Sequence, residues 1–104
     1  MPEQYELRYL PLFWNDLNET VSYIADELHN PIAAERLVDA IEESILQYLK
    51  NPLLGHPYQS TRRHSAQYRW FAVHNYLVFY VVDGNVMEVR RLIYGARDLD
   101  RLMP

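Results

Sequence analysis

The run YLVFYVV at residues 76–82 carries no charged side chain on either face of a strand. With a period of two, Tyr76, Val78, Tyr80 and Val82 take one face, and Leu77, Phe79 and Val81 take the other. A strand apolar on both faces belongs in the middle of a sheet that is covered on both sides. Its flanks extend it into a meander. YRWFAV (68–73) precedes it across His74-Asn75, a turn suited to Asn because Asn tolerates left-handed backbone. Asp83-Gly84 is a hairpin signal. The next strand, VMEVRRLIY (86–94), alternates Met87, Val89, Arg91 and Ile93 against Val86, Glu88, Arg90, Leu92 and Tyr94. Arg90 and Arg91 are adjacent, so they are expected on opposite faces and not in one site. Gly95 releases the strand, and ARDLDRLMP is a short tail that can be helical.

The upstream sequence supplies the cover. YELRY (5–9) alternates and reads as a half-buried strand, ended by Pro11. In 12–28, Phe13, Leu17, Val21, Ile24 and Leu28 recur at intervals of three and four, which places them on one helix face. Trp14 sits off the centre of that face. His29-Asn30-Pro31 breaks the pattern, with Asn30 as N-cap and Pro31 at the first helical position. The second helix, 31–51, has Ala34, Leu37, Val38, Ile41, Ile45 and Tyr48 as its apolar face. Glu35, Asp39, Glu42 and Glu43 give it an acidic outer face. The short connection makes the pair an antiparallel hairpin. Residues 51–67, with two prolines and a glycine, read as a loop of about 15 residues, long for a compact domain. The expected architecture is a single α+β domain over 1–104, ordered β-α-α-β-β-β, with an antiparallel meander packed on a helical hairpin.

Charge is divided along the chain. Residues 1–60 hold three basic and ten acidic side chains, whereas 61–104 hold seven arginines and four acids. The net charge of −4 therefore hides a C-terminal part basic enough to meet phosphate or an acidic partner. Every cation in that part is Arg, which suits bidentate pairing; the same residues also suit pairing with the protein's own acids. There is no cysteine, so disulfides and thiolate metal sites are excluded. No HExxH, CxxC, GxGxxG or Walker pattern occurs, so neither metal nor nucleotide cofactor is expected. The acidic start, MPEQYELRYLP, is not a signal peptide, and no apolar run is long enough to span a membrane.

The stretch NYLVFYVVDGNVMEVRRLIYGARDLDRLM (75–103) resembles the RelE/ParE family of bacterial type II toxins. The shared features are an aromatic strand, an acidic-glycine turn, a valine-rich strand carrying arginine, and then Tyr94, Gly95, Ala96, Arg97 and Asp98. YELRYLP and AAERLVDAIEESI resemble the family's N-terminal half. The resemblance implies a toxin acting in the bacterial cytoplasm, encoded as in plasmid-stabilisation systems beside an antitoxin that wraps it, with no cofactor. Its target would be DNA gyrase, as for ParE-like members, or mRNA on the ribosome, as for RelE-like members.

Metal-free RNA cleavage needs an activated 2′-hydroxyl, cations for the phosphorane and a proton for the leaving oxygen. Matched position by position to the family's nucleases, Arg69 and Arg97 meet basic positions, with Tyr94 and His64 beside them as candidates. Arg62 and Arg63 lie in the same loop as His64. Phe71 stands where a second basic residue is expected, and Leu77 where the third-strand arginine would be. A leucine cannot stabilise a dianion. The gyrase reading needs only a binding surface, with Arg91, Tyr94, Arg97 and Arg101 as its residues. Arg97-Asp98 as a local ion pair and Tyr94 as a core-edge tyrosine are the plainer alternatives, and a degenerate module that binds antitoxin without toxicity is a third reading.

Overall fold

The computed structural model describes residues 4–58 and 67–95. The C-terminal tail, Arg62, Arg63, His64, Arg97 and Arg101 lie outside the described residues. Strand β1 (Glu6–Tyr9) runs into helix α1 (Pro11–Ser22), a π-helical turn (Tyr23–Glu27) and helix α2 (Pro31–Leu49). A 3-10 turn (Pro52–Leu54) and a two-residue strand β2 (His56–Pro57) follow, and then β3 (Arg69–Val73), β4 (Tyr76–Asp83) and β5 (Val86–Tyr94). The sheet has five strands in the order β1-β5-β4-β3-β2. β3, β4 and β5 form the expected antiparallel meander. β1 joins it parallel to β5, in the register Glu6↔Val86 to Tyr9↔Val89. β2 lies inside the stretch expected to be loop and pairs with β3.

The helical hairpin follows its apolar pattern. Phe13, Leu37, Ile41 and Ile45 are buried against Phe71, Val73, Val78, Tyr80, Met87, Val89 and Leu92. Pro11 occupies the first turn of α1, where its missing N–H leaves no bond unmade. The Asn30 side chain accepts the Ala33 N–H at 3.1 Å and caps α2. The periodicity fails at Leu28, which is 54% exposed. There α1 widens, and the Leu28 N–H reaches back five residues to the Tyr23 carbonyl at 3.0 Å. A π-turn takes up an extra residue and shifts the helical phase, so Leu28 leaves the face that Phe13 begins.

Two turns and a bulge depart from simple alternation. At the β3–β4 turn His74, not Asn75, takes the left-handed backbone, with φ 54°. Between Asp83 and Val86 the left-handed residue is Gly84, with φ 59°. In β5, Phe79 pairs with Arg91 but Tyr80 pairs with Val89, so Arg90 is the extra residue of a β-bulge. The bulge exchanges faces along β5. Met87 and Val89 enter the helix-side core, and so does Leu92, whereas Ile93 joins the opposite face. A strict period of two had placed Ile93 with Met87 and Val89.

Candidate functional site

The sheet face away from the helices is aromatic and aliphatic. Tyr68, Phe79 and Ile93 are buried there, with Tyr58, Trp70, Leu77 and Val81 packed around them. Tyr58 and Tyr68 both meet the Phe79 ring edge-on, at 5.4 and 6.5 Å between centroids. His56 on β2 lies 4.6 Å from the Trp70 ring. Arg90 brings a guanidinium to this face and is fully engaged. Its Nε donates to Glu88 at 2.8 Å and its Nη1 to the Tyr68 hydroxyl at 3.3 Å, with the Tyr68 ring 5.6 Å away. Burial works against the Arg90 charge, but the hydrogen bonds to Tyr68 and Glu88 outweigh it and hold the pKa above its ordinary value. Arg8 approaches the same Glu88 at 3.8 Å. Beside them a shallow depression of about 430 Å³ is lined by Arg8, Asp83, Glu88 and Arg90 among others. Its charges are of both signs, so it offers no concentrated field for a phosphate.

Arg69 lies on the other side of the sheet. It pairs in register with Tyr80, and its Nη1 donates to the carbonyls of Leu53 (3.1 Å) and Gly55 (2.9 Å). The Tyr80 hydroxyl donates a short hydrogen bond to the Pro52 carbonyl. Two side chains thus collect the carbonyls of Pro52, Leu53 and Gly55 and fasten the turn after α2 to the sheet. Burial, the largest influence, pushes the Tyr80 pKa up to about 12, against the opposing effect of Arg69. Phe71 is likewise core: its ring stacks on Tyr48 at 4.2 Å and 4°. Phe71 and Leu77, the two positions where a nuclease would want cations, face opposite sides of the sheet.

Tyr94 and Arg91 occupy the far end of β5. Tyr94 is 44% exposed, its ring edge-on to Tyr76 at 5.6 Å. Arg91 is held by Asp16 of α1 through Nε (2.7 Å) and Nη2 (2.9 Å). With side chains only 13% and 11% exposed, this is an internal ion pair. Arg69 and Tyr94 are not brought together. Their partners on β4, Tyr80 and Tyr76, are four residues apart, about 13 Å along the strand. Of the nuclease candidates, His64 and Arg97 lie outside the described residues, as does Arg101 of the binding set. Asp16 and the group of Tyr58, Tyr68 and Trp70 were not singled out from sequence. Asp16 lies among the polar residues of α1 with nothing local to mark its distant partner, whereas the aromatic content of YRWFAV was a signal available to be read.

Among the described residues, no three His, Asp or Glu side chains stand close enough to hold a metal ion, and no helix is long and apolar enough to cross a membrane. The family model for the ParE toxin of the type II toxin–antitoxin system, parDE, matches residues 7–99. No curated protein matches the chain. Among solved structures, the chromosomal ParDE system of P. aeruginosa is similar with a TM-score of 0.72 at 16% identity, covering 89% of this chain and 98% of that one. The YoeB dimer of Staphylococcus aureus is similar with a TM-score of 0.55 at 17% identity, covering 88% and 97%. The RelB–RelE antitoxin–toxin complex of Methanococcus jannaschii has a TM-score of 0.51 at 21% identity, covering 93% and 99%. At these identities the likeness is one of fold.

Proposed function

The chain belongs to the ParE toxin family of type II toxin–antitoxin systems, and from that premise we propose that it arrests bacterial growth by binding DNA gyrase and not by cutting RNA. In the cytoplasm a cognate antitoxin holds it silent by covering its surface. The observation that carries the gyrase reading is the make-up of the sheet face opposite the helices. Leu77, Phe79, Val81 and Ile93 fill it where phosphorane stabilisation would need positive charge. Three arginines of the meander are already engaged within the fold: Arg69 on backbone carbonyls, Arg90 on Glu88 and Tyr68, Arg91 on Asp16. Among the described residues, the exposed end of β5 is suited to recognition: Tyr94 presents an aromatic ring there, and Arg97 and Arg101 follow it in sequence. Exposed aromatics beside arginines are the side chains that anchor protein interfaces.

Induction of the chain without antitoxin tests this. Gyrase poisoning produces a DNA-damage response and linearised plasmid, with messages intact. Messages cut within coding regions, with no DNA damage, would reverse the assignment in favour of the ribosome. Unchanged growth would leave only the antitoxin-binding role.

A further inference from the structure

The two edges of the sheet are built differently. At one, β2 is two residues long, and the register His56↔Trp70 with the Tyr58 N–H bonded to the Tyr68 carbonyl (2.8 Å) turns Pro57 outwards. A proline at the outward position of an edge leaves no donor for another strand. The other edge, β1, has no proline, lysine or bulge within Glu6–Tyr9, and among the described residues nothing pairs with its outer side. The Glu6 N–H donates to Asn85 (2.7 Å) and the Leu10 N–H to Val89 (2.9 Å). Alternation therefore turns the backbone N–H and C=O of Leu7 and Tyr9 away from β5, towards the open edge.

The side chains along this edge are self-complementary. Tyr5-Glu6-Leu7-Arg8-Tyr9 reads aromatic, acid, leucine, base, aromatic, symmetric in size and opposite in charge about Leu7. A second copy laid antiparallel with Leu7 opposite Leu7 sets Glu6 against Arg8 of the second copy, twice. Leu7 and Tyr9 then occupy hydrogen-bonded positions, and the charged pairs fall at the closer, non-hydrogen-bonded ones. Neighbouring registers that keep the outward groups in play set Arg8 against Arg8 or Glu6 against Glu6, and like charges directly opposite are unfavourable. Both side chains are available. Glu6 is exposed with no ion pair among the described residues, and Arg8 is 59% exposed with only its 3.8 Å approach to Glu88. Trp14, 46% exposed and 4.6 Å from the Tyr9 ring, forms a shelf beside the place where Tyr5 of the second copy would lie.

We infer that β1 is a homodimerisation edge: two copies pair β1 antiparallel across a two-fold axis at Leu7 and join their sheets into one. This is independent of which target the protein poisons. Sedimentation or light scattering of the purified full chain across a concentration series tests it, with circular dichroism to verify that each variant is folded. The wild type dimerises. Glu6→Arg and Arg8→Glu each weaken the dimer by about tenfold or more, through like-charge opposition. The double variant Glu6→Arg/Arg8→Glu recovers it, because the opposed charges are again of opposite sign. A wild type that stays monomeric, single variants that dimerise normally, or a double variant that stays as weak as the singles would each overturn the inference. A monomer whose Leu7 and Tyr9 amides gain exchange protection only on adding antitoxin would assign the edge to a strand of that partner, and also overturns it.

Discussion

Asp16 on α1 and Arg91 on β5, 75 residues apart in sequence, meet through two hydrogen bonds, and the same carboxylate accepts the backbone N–H of Leu92 at 3.0 Å. One side chain thus neutralises a nearly buried guanidinium and satisfies a strand N–H just past the bulge at Arg90. Asp16→Ala takes these contacts away from both and should cost on the order of 3 kcal/mol. Asp16→Ala/Arg91→Met should recover much of that loss, because it also removes the nearly buried charge that Asp16 neutralises. Urea unfolding midpoints measure both.

Tyr80 makes stability sensitive to alkali. Its pKa is raised from 10.0 to about 12 in the fold, so the folded state holds the phenolic proton more tightly than the unfolded chain does. The contribution is complete below pH 10 and is lost as pH rises through about 12. Tyr80→Phe should be less stable than wild type at neutral pH by about 1 kcal/mol, since the Pro52 carbonyl loses its donor. It should also lose less stability than wild type across the alkaline range. Thermal melts at pH 8 and above, on both proteins, give the comparison.

Gly55 lies against the same tyrosine. A Cβ there would stand 1.9 Å from the Tyr80 hydroxyl oxygen and 2.7 Å from the ring carbon that bears it. The Tyr80 ring is completely buried and cannot swing aside. Gly55→Ala should therefore cost about 3 kcal/mol by overpacking. The turn Pro52–Leu54 should lose its attachment to Arg69 at the same time, read as faster amide exchange at Leu54 and Gly55.

Tyr94 should matter to the target and little to the fold. Its ring touches Tyr76 and is otherwise largely in solvent. Tyr94→Ala should shift the melting transition by no more than about 1 kcal/mol of stability and weaken gyrase inhibition roughly tenfold to thirtyfold, as an interface anchor does. Inhibition of supercoiling by wild type and variant measures the effect.

The parts that were legible in the sequence are those set by local pattern. The doubly apolar β4, the buried stripe of α2 and the Asn30 cap each follow from residues within one or two turns of each other. Where the reading erred, a single residue changed the phase. The π-turn at Tyr23–Glu27 moved Leu28 into solvent, and the bulge at Arg90 moved Ile93 to the other face. Neither irregularity is marked by a glycine or proline at its own position. His74 takes left-handed backbone one place before the Asn expected to hold it, because the two-residue turn demands positive φ at its first position. The commitment of Arg69, Arg90 and Arg91 to internal partners was illegible for a different reason. Arginine is as fit for a carbonyl or a carboxylate inside the fold as for a target outside it.

The parallel pairing of β1 with β5 also has a consequence in time. Glu6 must wait for Val86, so during synthesis the first strand has no neighbour for about 80 residues, or ~4–16 s at ordinary elongation rates. A nascent chain that stalls before Val86 has its helices and no seat for its first strand. A cell that makes this protein therefore meets a competent fold only after the strand that opens at Val86 has been made.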